Sequence, residues 1–204
     1  LAQRMKRGGA AVQYADYETA NEHLTTAEQL LRCATEIVDP AVGARLYLLY
    51  AIVAYEQGDE STSRDRFERA FLFEEGLEWD NANPSSSKPL FEEARWSIYD
   101  RTPARLYIEP DYGSKLYLNG RIPEAAEDFY LVPQGEHLLQ FGLGERTYSV
   151  SLESGEYTLS PPITAEPSVF HSEKNTAKSQ TLITILVQLF PKNTTIYLMD
   201  DKQV

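Results

Sequence analysis

The feature that most constrains this chain is a change of texture at Pro103. Up to that residue Ala, Leu, Glu and Arg dominate, and apolar residues recur every three or four positions. Beyond it, β-branched and aromatic residues come in short runs broken by Gly and Pro. A period near 3.6 buries one stripe of a helix, whereas short runs between turn residues make strands. Proline and the residue before it resist continuing a helix. The expected fold is α+β in series: a helical domain over residues 1–103, then a small antiparallel β-sandwich over 104–160, each half a folding unit of its own.

In the first half Tyr17, Ala20, Leu24, Ala27, Leu30 and Leu31 predict one amphipathic helix, with Asp39-Pro40 as its stop. A second helix is predicted from about Val42 to Gln57, ending at Gly58, a natural residue for the left-handed position after a helix. A third begins near Ser61 with Phe67, Ala70 and Phe71 on one face. Asn81 to Pro89 reads as a loop, from which Ser86 or Ser87 caps a last helix through Leu90, Phe91, Ala94 and Ile98.

Tyr47, Tyr50-Ala51, Gly58-Asp59, Ser63, Phe67 and Ala70 follow the order of a tetratricopeptide repeat, and these helices resemble that family. The resemblance implies helical hairpins. In it, small residues at Ala51 and Ser63 let two helices cross closely, and Phe67 fills the gap to the neighbouring repeat.

In the second half Leu106–Ile108, Leu116–Leu118, Phe129–Val132, His137–Phe141 and Thr147–Leu152 read as strands, and Asn119-Gly120 is a strong two-residue hairpin signal. Pro110-Asp111-Tyr112-Gly113-Ser114, then Leu116 to Gly120, then Val132-Pro133-Gln134-Gly135-Glu136-His137 resembles the PEGA domain, which implies structural roles for Gly120, Gly135 and His137. Residues 161–180 are rich in Pro, Ser, Thr and Lys and read as a linker or mobile loop. Residues 181–204 parallel the first strands: Val187 to Leu198 repeats the pattern of Leu106 to Leu118, as if a second PEGA-like module began there. The apolar run Leu182 to Phe190 is expected to pair within the β half rather than hang free.

Charge narrows the function classes. The net charge is -12, from 19 basic and 31 acidic residues, and both halves are acidic. Nucleic acid is therefore not expected as a partner, since phosphate binding needs clustered cations. The run Leu182 to Phe190 is about half the ~20 residues of a spanning helix, so no transmembrane segment is expected. The first seven residues lack the apolar core of a signal peptide.

No reaction can be read from the side chains. Cys33 is the single cysteine and has no histidine on its helical face, so it reads as a structural thiol. His137 reads as tying a turn to the backbone, and His171 as solvated. Glu124, Glu127 and Asp128 lack the alternating ligands of a calcium loop, and Asp200-Asp201 reads as a turn. No catalytic, metal or cofactor residue is expected. Thirteen tyrosines exceed what a tight core requires, and Tyr47, Tyr50 and Tyr55 cannot all face one way on a helix. They are the candidate partner-binding residues.

Both resemblances imply protein–protein interaction rather than catalysis: a scaffold module of a bacterial envelope complex, periplasmic or envelope-associated, with the helices docking other proteins of the assembly and the β domain as spacer. The alternatives are a glycan- or small-ligand-binding module of the envelope, an accessory subunit of an enzyme, and a cytoplasmic location.

Overall fold

The computed structural model describes residues 1–108, 115–126, 128–142, 146–160, 184–185 and 194–197. Five helices come first: α1 (Ala2–Gln13), α2 (Tyr17–Arg32), α3 (Pro40–Glu56), α4 (Glu60–Phe73) and α5 (Lys88–Tyr99), the last preceded by a single 3-10 turn at Ser85–Ser87. Three of them start on an aspartate whose carboxylate accepts a backbone N–H otherwise left without a partner. Asp16 caps Thr19 (3.2 Å), Asp39 caps Ala41 (2.9 Å) and Asp59 caps Thr62 (3.0 Å).

Asp39-Pro40 therefore opens α3 rather than closing α2, which corrects the stop read from sequence. Proline suits a first helical turn as well as a stop, because its missing N–H is unpaired there in any case. Helix α2 ends earlier, at Arg32, with the half-buried Cys33 at its cap. Helix α1 was not anticipated. Gly8-Gly9 breaks its apolar spacing, yet Met5, Gly8, Ala11 and Val12 are buried, and Gly8 lies so close to α2 that a Cβ there would stand 2.9 Å from Leu24.

Two helical hairpins, α1–α2 and α3–α4, are followed by α5. Gly58 turns the second hairpin at φ +84°, with Asp59 N–H bonded to the Ala54 carbonyl (2.9 Å). Helices α3 and α4 meet where Ala51 and Ser63 are both fully buried, and the Ser63 hydroxyl donates to the Ala51 carbonyl (2.8 Å). Phe67 lies between α4 and α5, edge-on to Phe91 (centroids 5.5 Å) and to Trp79 (6.2 Å), with Ala70 buried beside it. Ser87 stands at the start of α5 but makes no capping bond.

The β half holds two sheets. The first runs in the order β3 (Ala125–Ala126), β4 (Phe129–Val132), β1 (Ala104–Ile108), β7 (Glu156–Ser160), β9 (Thr194–Tyr197). The second runs β2 (Leu116–Leu118), β5 (Gly135–Phe141), β6 (Arg146–Leu152), β8 (Thr184–Ile185). Leu106, Val132 and Tyr157 of the first sheet belong to one buried cluster with Leu118, Leu139, Phe141, Tyr148, Val150 and Leu152 of the second.

The sheets are mixed, which corrects the antiparallel expectation. β1–β7, β6–β8 and β7–β9 pair in parallel. For β1–β7 the reason is connectivity: the chain leaves β6 in the second sheet and crosses at Glu153–Gly155 to the first, where β7 runs alongside β1. Ile196 is not equivalent to its counterpart in β2, because β9 pairs with β7 whereas β2 pairs with β5. The stretches 109–114, 161–180 and 186–193, and with them most of the Leu182 to Phe190 run, lie outside the described residues.

The helices cover the outer face of β5 and β6, giving three layers. In β5, Leu139 and Phe141 point into the sandwich, while Leu138 joins the helical core. Gln140 also turns to the helices: its carbonyl accepts from Val38 N–H (2.9 Å) and its amide donates to the Glu36 carbonyl (2.9 Å). From β6, Thr147 donates to the Ala34 carbonyl (2.8 Å). The two halves thus share a buried junction. It requires glycine at the Asn119-Gly120 turn, where a Cβ on Gly120 would stand 1.9 Å from the Val38 carbonyl oxygen.

Candidate functional site

At the junction, α4 and the start of β5 enclose a cleft of about 430 Å³. Arg66, Glu68 and Arg69 reach it from one face of α4, Arg101 from the segment after α5, and Glu136 and Ser151 from β5 and β6. Residues three apart on a helix share a face, so Arg66 and Arg69 fall together while Phe67 and Ala70 turn to the core.

Behind the cleft lies Glu28 of α2, a charged residue within an otherwise apolar stripe. One of its oxygens accepts from Arg66 (2.7 Å), Arg32 (2.9 Å) and the Tyr47 hydroxyl (3.2 Å), and lies 3.5 Å from Arg69. Burial by itself would push this carboxyl up, but Arg66 and Arg32 outweigh it and hold it below its ordinary value. Arg69 also pairs with Glu136 on β5, which Arg32 approaches at 3.5 Å. The network joins α2, α4 and β5. At the rim Arg101 pairs with Glu68 (2.6 Å). Asp65 has no ion pair among the described residues, and its carboxyl is raised by partial burial and by the neighbouring Glu68.

Below the cleft, the Asn119-Gly120 turn and His137 make a second polar knot. Both turn residues have positive φ, +50° and +79°, as the hairpin requires. Asn119 is buried; its amide donates to the Leu72 carbonyl of α4 (2.9 Å) and its oxygen accepts from Leu138 N–H (2.8 Å). The His137 ring bonds the Pro133 carbonyl through Nε2 (2.7 Å) and the Asn119 amide through Nδ1 (3.0 Å). A neutral ring protonated at Nε2 satisfies both bonds. Burial, with Arg69 adding to it against the Pro133 bond, pushes the imidazole down to about 4. Gly135, at φ +140°, lets the chain pass Leu72, whose Cδ1 a Cβ would meet at 2.5 Å.

Of the three candidate tyrosines, Tyr47 offers no surface. It is fully buried, its ring under Arg69 at 4.2 Å and beside Phe73, which removes it from the exposed partner-binding candidates. Tyr50 and Tyr55 are half-buried against the same core. The Tyr50 hydroxyl meets Thr25 (2.7 Å) and Arg66 lies over its ring at 4.6 Å. Glu124 and Asp128 are exposed, while Glu127, His171 and Asp200-Asp201 lie outside the described residues. Among the described residues no group of three or more His, Cys, Asp or Glu side chains could hold a metal, and no helix is long and apolar enough to cross a membrane.

The charged residues that line the cleft were not singled out from sequence, although Gly135 beside them was. Glu28-x-x-x-Arg32 and Arg66-x-x-Arg69 are ordinary helix-surface spacings, and only Glu28 among Ala27 and Leu31 hints at a buried charge. Comparison with protein-family models, with curated proteins and with solved structures finds no match to this chain.

Proposed function

We propose that this protein is a non-enzymatic interaction module, a scaffold component of an envelope-associated bacterial assembly. Its helical hairpins and PEGA-like β half act as one rigid adaptor, and a partner protein docks at the cleft between them. The observation that supports this most is the junction itself: two halves of different architecture share buried hydrogen bonds and leave between them an arginine- and carboxylate-lined cleft. Close packing at Ala51 and Ser63, and Phe67 bridging to α5, favour the tetratricopeptide-like reading of the helices. The envelope location rests on the sequence resemblances.

The test compares two tagged full-length proteins in native cells, the wild type and Ser151→Trp, which fills the cleft from its exposed β6 side. The wild type is expected to retain a defined set of proteins after crosslinking, and the variant to lose it while melting unchanged. An identical set on both proteins would remove the cleft as the docking site, and no specific set on either would remove the adaptor reading.

A further inference from the structure

Main-chain atoms at its ends fix every proton in the knot around His137. Leu138 N–H donates to the Asn119 side-chain oxygen (2.8 Å), so that oxygen accepts and the amide nitrogen faces the other way. The two hydrogens of that nitrogen go to the Leu72 carbonyl of α4 (2.9 Å) and to His137 Nδ1 (3.0 Å). Nδ1 must therefore accept, and Nε2 carries the hydrogen that the Pro133 carbonyl receives (2.7 Å). A proton added at Nδ1 would face a donor. Turning the Asn119 amide over does not relieve this, because its oxygen would then meet the Leu72 carbonyl and its nitrogen the Leu138 N–H. Asn119 can satisfy α4 or a charged imidazole, and not both.

We infer that the Asn119–His137 pair is an acid-sensitive latch: a proton on His137 Nδ1 unhooks the Asn119-Gly120 turn from α4 and opens the junction there while the helices stay folded. Leu72 and Gly135 both line the cleft, so the latch sits in its wall and acid reshapes the site. The surrounding charges keep the closed latch neutral. From α4, Arg69 opposes a second positive charge, and its own charge is taken up by Glu136 of β5 and Glu28 of α2. On the hairpin Arg121 is paired with Glu74 at the end of α4, and β6 places the apolar Val150 opposite His137. The direction follows from linkage. In the closed latch the imidazole lies at about 4 against an ordinary 6.5, and once the turn leaves, Nδ1 meets water and returns towards the ordinary value. At pH 5 the open form then holds the proton and the closed form does not, so opening is favoured by up to roughly 20-fold over pH 7.

The experiment is amide exchange of the full chain at pH 7 and pH 5, each over a range of low urea concentrations and corrected for the intrinsic exchange rate. Leu138 N–H loses its acceptor when Asn119 leaves. It is expected to exchange through an opening that is insensitive to urea and that increases severalfold, up to roughly 20-fold, at pH 5. The buried α3 residues Leu48, Leu49 and Ile52 are expected to exchange through urea-dependent unfolding alone. Asn119→Asp sets a carboxylate against Nδ1. It should loosen the turn at pH 7, by losing the bond to Leu72, and abolish the acid-induced increase. A Leu138 opening with the urea slope of α3 would make the event global unfolding and overturn the latch, as would an opening that is equal at the two pH values. An increase that survives in Asn119→Asp would assign the proton to another group and overturn it as well. The wild-type measurements decide locality and pH dependence even where Asn119→Asp fails to fold.

Discussion

Between α4 and α5 the packing is aromatic: Phe67, Phe71, Trp79 and Phe91 meet with centroids 4.7 to 6.2 Å apart. Between the helices and the second sheet it is polar: Gln140, Thr147, Asn119, Arg69 and Glu136 make the contacts, and Leu138 is the apolar exception. The difference is one of purpose. Apolar contact is non-directional and proportional to area, so it drives collapse but tolerates several arrangements. A buried amide must find its own partner at hydrogen-bond distance, so a polar junction admits one docking and penalises its neighbours. The helical interior supplies stability, and the junction supplies the fixed relation between the halves.

Three measurements can break or sharpen that contrast. The largest effect is expected in the aromatic interior, where Phe67→Ala should cost about 3–5 kcal/mol in denaturant melts of the full chain, the range for deleting a buried aromatic. A loss under about 1 kcal/mol would mean that the interior is loosely packed and the contrast false.

The second expectation is a pH dependence centred on the junction. The His137 imidazole lies at about 4 in the folded state against an ordinary 6.5. Between those values the unfolded chain binds the proton and the folded chain does not. Stability is therefore full above pH 6.5, falls as pH drops from there towards 4, and changes no further through this group below that. At about 1.4 kcal/mol per pK unit the total is roughly 3 kcal/mol. Glu28, whose carboxyl is held below its ordinary value, keeps its contribution until the pH has dropped below the ordinary carboxylate range, so the loss between pH 7 and 5 falls in the histidine's window. A flat profile there would show that the His137 ring is open to water.

The smallest effect is expected at Gln140→Ala, which strands Val38 N–H and the Glu36 carbonyl and should cost about 1–3 kcal/mol. It should also release the halves from one another, seen as faster amide exchange at Val38 with the α3–α4 amides unchanged. Uniform acceleration across both halves would mean that the junction and the interior are one cooperative unit.

Much of the fold was legible because its signals are local. The stripe of α2, Gly58 after α3 and the Asn119-Gly120 hairpin each announce themselves within a few residues. Asp39-Pro40 misled because the same dipeptide chemistry serves a stop and a start, and the start was decided by Asp39 reaching Ala41. The parallel pairs were not legible, since strand direction across two sheets follows from where the chain crosses between them. The cleft escaped for a related reason: Glu28, Arg69 and Glu136 lie 41 and 67 residues apart, and nothing near any of them in sequence names the others. Tyr47 was misjudged because a tyrosine can bury its ring and still satisfy its hydroxyl, here on Glu28.

The approach of Gly120 to α3 also bears on how this sequence can drift over generations. At Gly58 a Cβ would meet nothing within 4 Å, so only the backbone angle is demanding, and asparagine, which visits that region, can replace it. At Gly120 the obstacle is the Val38 carbonyl, part of a main chain that cannot step aside as a flexible side chain can. Descendants of this chain can thus exchange Gly58 for asparagine at the cost of backbone strain alone, but they can surrender Gly120 only after the β half has come away from the helices. That order of events makes position 120 the place where a lineage would first record the loss of the docked arrangement.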